Sequence, residues 1–378
     1  MHGIKTNVLT EGTRPIAALA TGVIGLVATA TKRPSDADGS IFNAAFPLGE
    51  PVLVTNVRKA IEVLGTEGTL RPALEAIADQ CSPFVIVVRV GIDADSEVQE
   101  TRTLAGIAKL LIAEQRTGMR PRVLGAPGLD TQAVVTDLVV AAKKLRAMVY
   151  AAAIGADIAE VATYAENFGD RELMLIWPEW TGDVPGDAVA RALGLRALID
   201  ETQGWHKSLS NVAVGGVTGI SEDLFFDIQD ETTDVAALND ALVTTLVRSP
   251  AGGFVYWGNR TTSSEPLFSF EPATRTSQIL QDEIAQGLVW AIDKPLTKFL
   301  IKDVLETINA RFRSLVTQGR VIGARAWFDP ALNSDVDLAA GKLVIDYDFT
   351  PAAPLEGLTL NQRITDRYYA DLAAELGA

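Results

Sequence analysis

Between residues 52 and 203 the chain alternates short unbroken apolar runs with longer stretches of helical spacing, and that rhythm constrains the fold more than any other feature. The run Phe84-Val85-Ile86-Val87-Val88-Arg89-Val90 lacks polar alternation, so it reads as a strand covered on both faces, as strands of parallel sheets are. Residues 122–126, 147–154 and 173–177 read the same way. Helices are expected between them, over 70–80, where Leu70, Leu74 and Ile77 make one stripe, and over 103–115, 158–167 and 188–203. Asp130 is placed to cap a further helix running to about Arg146. Strand and helix in this succession predict an α/β domain with a mainly parallel sheet.

The rhythm fails on either side. Residues 20–30, apolar but punctuated by Gly22 and Gly25, read as one buried strand. Before them Gly3, Gly12 and Pro15 forbid a long helix and leave an extended arm with one short strand, Ile4-Lys5-Thr6-Asn7-Val8. Glycines break up residues 204–257, where a helix is expected over 234–247 and a strand over Phe254-Val255-Tyr256-Trp257; a domain boundary is placed here. The last third is different in kind, α+β rather than α/β. One helix is expected over 277–291, and Thr297 is a good N-cap for a second that runs to Gln318, with Gly319 placed to end it. In that helix Ile301, Leu305, Ile308, Phe312 and Leu315 form an apolar seam, while Lys298, Lys302, Glu306 and Arg313 occupy the opposite side. Over 342–349 Leu343, Ile345 and Tyr347 alternate with Val344, Asp346 and Asp348, the pattern of a half-buried strand. Pro351 and Pro354 stop it; residues 355–364 can extend again, and 365–376 read as a short helix.

A length of 378 residues suggests about two domains, and a hydrophobic share of 48% supplies their cores. The net charge of −15, with no run of Lys and Arg, argues against nucleic acid as a main partner. Cys81 is the only cysteine, so neither an intrachain disulfide nor a cysteine-based zinc cage is possible, and the thiol reads as a small buried side chain. His206 has no sequence neighbour to work with and reads as a packing residue. Residues 4–9 are too polar for a signal peptide, and the apolar stretch 17–30 is too short to span a bilayer, so a soluble cytoplasmic product is expected. Leu124-Gly125-Ala126-Pro127-Gly128 lies where phosphate-binding loops lie, but it lacks a third glycine and a following Lys-Ser or Lys-Thr pair. Asp346 and Asp348 share a strand face, which reads as solvated. No catalytic centre, cofactor site or metal site assembles; a soluble α/β enzyme acting on a small acidic substrate is the rival from another class.

Four C-terminal segments carry a resemblance. Trp257-Gly258-Asn259-Arg260-Thr261, Trp290-Ala291-Ile292-Asp293-Lys294-Pro295-Leu296, Ala326-Trp327-Phe328-Asp329-Pro330 and Lys342-Leu343-Val344-Ile345-Asp346-Tyr347-Asp348-Phe349-Thr350-Pro351 resemble the contractile tail sheath proteins of P2-like phages and R-type pyocins. Arg363-Ile364-Thr365-Asp366-Arg367-Tyr368 is similar to that family's ending. Gly12-Thr13-Arg14-Pro15-Ile16 with Thr21-Gly22-Val23-Ile24-Gly25-Leu26-Val27 is similar to its beginning, and Leu124-Gly125-Ala126-Pro127-Gly128-Leu129-Asp130-Thr131 to its middle.

The resemblance implies a structural subunit of a virion tail, made in the host bacterial cytoplasm. Such subunits form hexameric rings stacked helically around a tail tube, with baseplate and tail terminator proteins as further partners, and without nucleic acid, cofactor or membrane insertion. Residues 1–19 would be an N-terminal arm joining an inner, tube-facing domain built mostly from 256–378; residues 20–255 would be the outer α/β domain. Arms that add strands to neighbours would carry Ile4, Thr6 and Val8 at one end and Leu343, Ile345 and Tyr347 at the other. The stripe Lys298, Lys302 and Arg313 is the candidate contact to an acidic tube surface. The sheath of an extracellular injection system or a secretion apparatus fits the same residues.

Overall fold

The computed structural model describes residues 16–182 and 184–369. The N-terminal arm, including Ile4, Thr6 and Val8, and most of the expected last helix lie outside them. The first strands and helices are β1 (Ile24–Thr29), α1 (Ser40–Ala45), β2 (Pro51–Val54), α2 (Val57–Ile61), α3 (Leu70–Ala78) and β3 (Val85–Val90). Then follow α4 (Ser96–Leu110), α5 (Ala113–Thr117), β4 (Val123–Gly125), α6 (Gln132–Leu145), β5 (Met148–Ala152), α7 (Ile158–Ala165), β6 (Leu173–Ile176) and α8 (Asp187–Thr202). The rest is α9 (Asp234–Asp240), β7 (Val243–Arg248), β8 (Phe254–Trp257), α10 (Glu271–Gly287), α11 (Lys298–Thr317), β9 (Val321–Trp327), α12 (Asp335–Ala339) and β10 (Asp346–Pro351).

Eight strands form one sheet in the order β2-β3-β1-β4-β5-β6-β7-β8. The inner six run parallel, and β2 and β8 close the two ends antiparallel. Burial on both faces explains the unbroken apolar runs: Leu26 and Val87 point into a core shared with α3 and α8, while Val27 and Val88 point into one shared with α4 and α6. The mainly parallel α/β domain expected from the sequence is therefore present.

Several boundaries differ from the sequence reading, each for a local reason. Asp130 does not cap α6. Thr131 does, accepting the Val134 N–H, while Asp130 turns inward to accept the Ala152 N–H at 2.6 Å. The helix expected over 234–247 ends at Asp240; Leu242 adopts φ +61°, and the β-branched run that follows becomes β7. The helix expected from 103 begins at Ser96, because the Asp95 carboxylate accepts the Glu97 and Val98 N–H groups, and it gives way to α5 after Leu110. The helix expected from 277 begins at Glu271, with Pro272 in its first turn.

That last difference matters most, because α10 is buried although it is polar. It passes the amino-terminal rim of the sheet, where Gln278 donates to the Ala147 carbonyl at 2.9 Å. Around Glu271, which is 0% exposed, the carboxylate accepts from Arg196 (3.0 Å), the Tyr150 hydroxyl (2.6 Å) and the Leu209 N–H (3.2 Å). Asp200 pairs with both Arg196 and Arg275. One and a half turns on, Asp282 receives Arg120, Arg122 and Arg146, and Glu283 forms a fork with Arg311 of α11 at 2.6 and 2.9 Å. Burial lowers the Arg196 pKa, but Asp200 and Glu271 more than offset it and the net shift is upward. Charges taken this far from water hold only as complete sets, so α10 locks the sheet and the C-terminal unit into one body.

Two other buried carboxylates sit at the opposite, carboxyl-terminal rim. Burial pushes Asp130 up to about 6. Burial also pushes Glu179 up to about 7, against the Ala188 and Gly186 N–H groups it accepts at 2.7 and 2.9 Å. Both folded values lie above the unfolded ones, near 4. The stability they contribute is therefore complete below about pH 4 and is lost as pH rises through 6 to 7. Each group accounts for on the order of 2 kcal/mol. Denaturant titrations are expected to give a lower midpoint at pH 8 than at pH 5, and Asp130→Asn with Glu179→Gln should flatten that slope. An unchanged slope in the double variant would remove these two groups as its cause.

Candidate assembly interface

In α/β sheets of this kind a ligand crevice opens where the strand order reverses, here between the carboxyl ends of β1 and β4. The chain fills that place with itself. Gly186 approaches so closely that an added Cβ would stand 2.2 Å from the Gly128 nitrogen, and Thr69 bonds to Thr29 across the same opening. Burial and Glu201 push the Cys81 thiol up to about 12, and it donates to the Gly194 carbonyl, so it stays protonated and packed. His206 stacks edge-on against Trp205, and burial together with Arg320 lowers its pKa. Among the described residues no cluster of three or more His, Cys, Asp and Glu could hold a metal ion, and no helix is long and apolar enough to cross a membrane.

The C-terminal unit looks different. Thr297 caps α11 through the Leu300 N–H, and Gly319, at φ +70°, follows its end. The seam is buried at Ile308, Phe312 and Leu315, with Val304 joining it. Ile301 and Leu305 instead line a shallow groove with Leu296, Phe328 and Leu338, so the helix has two apolar faces where the spacing suggested one. A two-stranded antiparallel sheet, β9–β10, lies over the first face; Tyr347 opposite Ala326 and Phe349 opposite Ala324 point down onto the helix. Asp346 and Asp348 point to the other side, opposite Trp327 and Arg325.

This unit is incomplete as a body. Phe299 (77%), Ile322 (68%) and Val336 (79%) expose large apolar side chains, as do Val289 and Ile292. A groove of about 780 Å³ runs between α11, the end of α10 and the entry to β10, lined by Leu288, Leu300, Val304, Leu343, Ile345 and Tyr347. The two-stranded sheet has an outer edge on each side. After β10, residues 352–366 form neither helix nor strand, and Leu355, Leu358, Leu360 and Ile364 stand almost fully in solvent. The root of this arm is held: Arg260 grips Glu356 with a fork at 2.8 and 2.6 Å and lies over the Phe270 ring.

Family comparison places these features. Residues 101–262 match the family described as phage tail sheath protein central domain, and residues 263–365 match the phage tail sheath C-terminal domain. Residues 21–90 match the N-terminal region of domain III of the tail sheath protein Gp18. The chain is 46% identical to the tail sheath protein of Escherichia phage P2, over 100% of its own length and 98% of the relative's. The chain belongs to the phage tail sheath family. A second sheath relative, the major tail sheath protein of Serratia phage KSP20, is 44% identical over 100% and 98% of the two chains. The sheath fold also recurs in the helical sheath of the anti-feeding prophage in its contracted state (TM-score 0.71, 18% identity, 97% of this chain and 99% of that one). It recurs again in the contracted PVC sheath complex of an extracellular contractile injection system (TM-score 0.69, 16% identity, the same shares). The relatives are structural sheath proteins, and the enzyme reading finds no support among them.

Of the residues singled out in the sequence, Lys298 and Lys302 are exposed on this sheath subunit and form no ion pair among the described residues, whereas Arg313 is paired with Glu306. Leu343, Ile345 and Tyr347, expected in a donated strand, lie against their own α11, and Tyr347 belongs to a strand paired with β9 of the same chain. The charge cluster around α10 escaped sequence reading. Pro272 after an apolar aromatic was the one signal for that helix's start.

Proposed function

We propose that this sheath subunit polymerises with copies of itself into hexameric rings stacked helically around a tail tube, and that the lattice contracts to drive the tube through a host envelope. The observation that carries the reading is the concentration of exposed apolar side chains, free sheet edges and an extended arm in the C-terminal unit. A body of that kind is completed by a neighbour. Strand addition suits it, since backbone hydrogen bonds supply affinity and alternate side chains supply fit. A contact between unlike surfaces that does not close on itself builds a helix.

In this reading residues 256–378 with the arm 1–19 face the tube, and residues 20–255 form the outer body. Lys298 and Lys302, with Arg313 beside them, meet an acidic tube surface. Baseplate and terminator proteins cap the two ends. The particle is assembled in the bacterial cytoplasm and works as a virion tail. The free energy of contraction is stored at assembly, in a lattice less stable than the contracted one, so the subunit performs no catalysis. The phage relatives at 46% and 44% identity favour a phage tail over an injection or secretion machine.

Negative-stain electron microscopy of the protein expressed alone tests this directly. Hollow tubes or stacked rings are expected. Small uniform particles that persist at high concentration, and also on co-expression with a tube protein, would overturn it.

A further inference from the structure

The two outer edges of the β9–β10 sheet are not equivalent, and one side chain makes the difference. In an antiparallel pair, successive residues turn their N–H and C=O groups alternately toward the partner and away from it. At Ala326 both groups point away from β10, and both are taken by Asn309 of α11. The Ala326 N–H donates to Asn309 Oδ1 at 2.9 Å, and Asn309 Nδ2 donates to the Ala326 carbonyl at 2.9 Å. The amide side chain stands where the backbone of a third strand would stand. Along β9 this leaves only Ile322 and Ala324 able to receive one.

The β10 edge differs on each count. Tyr347 lies opposite Ala326 and Phe349 opposite Ala324, so their N–H and C=O groups also point outward, and no partner meets them among the described residues. The approach to this edge is held extended by Asn333, which accepts the Val344 N–H and donates to the Val344 carbonyl, both at 2.9 Å. Beside it lies the 780 Å³ groove, an apolar floor wider than two strands cover. A strand added to β10 would turn alternate side chains into that floor.

The occupant can be read from the arm. Leu358 and Leu360 are two residues apart, 72% and 82% exposed, and so project on one side of an extended chain. The arm of the same copy is directed elsewhere: Pro351 and Pro354 stiffen its root, residues 352–356 lie against Lys207 and Trp257–Asn259, and Arg260 holds Glu356. We propose that the β10 edge and its groove receive the C-terminal arm of a second copy, with Leu358 and Leu360 seated in the groove, and that Asn309 bars that arm from the β9 edge. Leu343, Ile345 and Tyr347 are then receiving residues. This rests on the strand-exchange reading above and goes further by naming edge, register stop and anchors.

Two single-cysteine proteins, each in a Cys81→Ser background, are co-assembled and treated with a short bifunctional maleimide. Copies carrying Ile345→Cys and copies carrying Leu360→Cys are expected to give a conjugate of two chains. Copies carrying Ile322→Cys in place of Ile345→Cys should give about tenfold less, since opening the Asn309 pair strands two buried polar groups. Asn309→Ala should raise the Ile322 conjugate while leaving the Ile345 one unchanged, a shift in ratio that lost stability alone would not produce. If Ile345→Cys impairs assembly, Val344→Cys at the exposed groove margin replaces it. A dominant Ile322 conjugate with Asn309 intact would overturn the assignment and leave strand exchange standing. No conjugate at either edge, in particles that do form, would sink strand exchange by this arm altogether.

Discussion

Removal of residues 357–378 is expected to leave the subunit folded and to abolish its polymerisation. Every described side chain from Leu355 onward is exposed, so the truncation takes nothing from a core, and the Arg260–Glu356 fork that ends the ordered part is retained. What disappears is the means of attachment. Burying leucines such as Leu358 and Leu360 contributes about 1.5–3 kcal/mol each. Ordering the arm costs about 1–2 kcal/mol per residue, so side-chain burial alone does not hold it. Attachment requires the backbone ladder and the leucines together, and the truncated chain has neither. Sedimentation velocity should show monomers at concentrations where the full chain forms tubes, with the thermal midpoint unchanged. Tubes from the truncated protein would show that lattice contacts other than the arm suffice.

The largest stability effect is expected at Glu271. Glu271→Ala removes the carboxylate that Arg196, Tyr150 and the Leu209 N–H share at a fully buried site. Asp200 remains, but it already serves Arg275, so Arg196 is left with an uncompensated share of charge. Breaking a buried ion pair from one side costs about 3–5 kcal/mol, and that loss should appear in guanidinium titrations monitored by tryptophan fluorescence. A second outcome is specific to the architecture. Because Glu271 opens α10, the loss should loosen the C-terminal unit first, and amide exchange should rise in α10 and α11 before it rises in β4 and β5. A uniform rise would mean that the two parts unfold as one.

The sequence announced the parallel sheet clearly, because strands covered on both faces have to be apolar throughout, and Val85–Val90 and Leu173–Ile176 say so without help from their neighbours. It announced α11 equally well, since Thr297 and Gly319 are signals local to a few residues. It was silent on α10. A helix whose buried face consists of Glu271, Thr274, Arg275, Gln278 and Asp282 carries the pattern of an exposed one, and only the partners on distant elements reveal the difference. The assembly surface was legible in outline, as an extended arm and an alternating strand. Its polarity was not, since Ile345 has the same spacing whether its strand is donated or receives, and Asn309 acquires its role only where α11 passes β9.

The tethered arm also bears on what happens while a lattice rearranges. From Gly357 to Tyr369 an extended chain reaches about 43 Å at 3.3 Å per residue. A neighbour held by such a link stays at a high effective concentration even after every other contact to it has been broken. Face-to-face contacts can then exchange one set for another as intramolecular events, fast and without dilution, and a subunit escapes only if its links fail together. The exposed leucines that make a solitary copy adhesive would thus let a crowd of them move without coming apart.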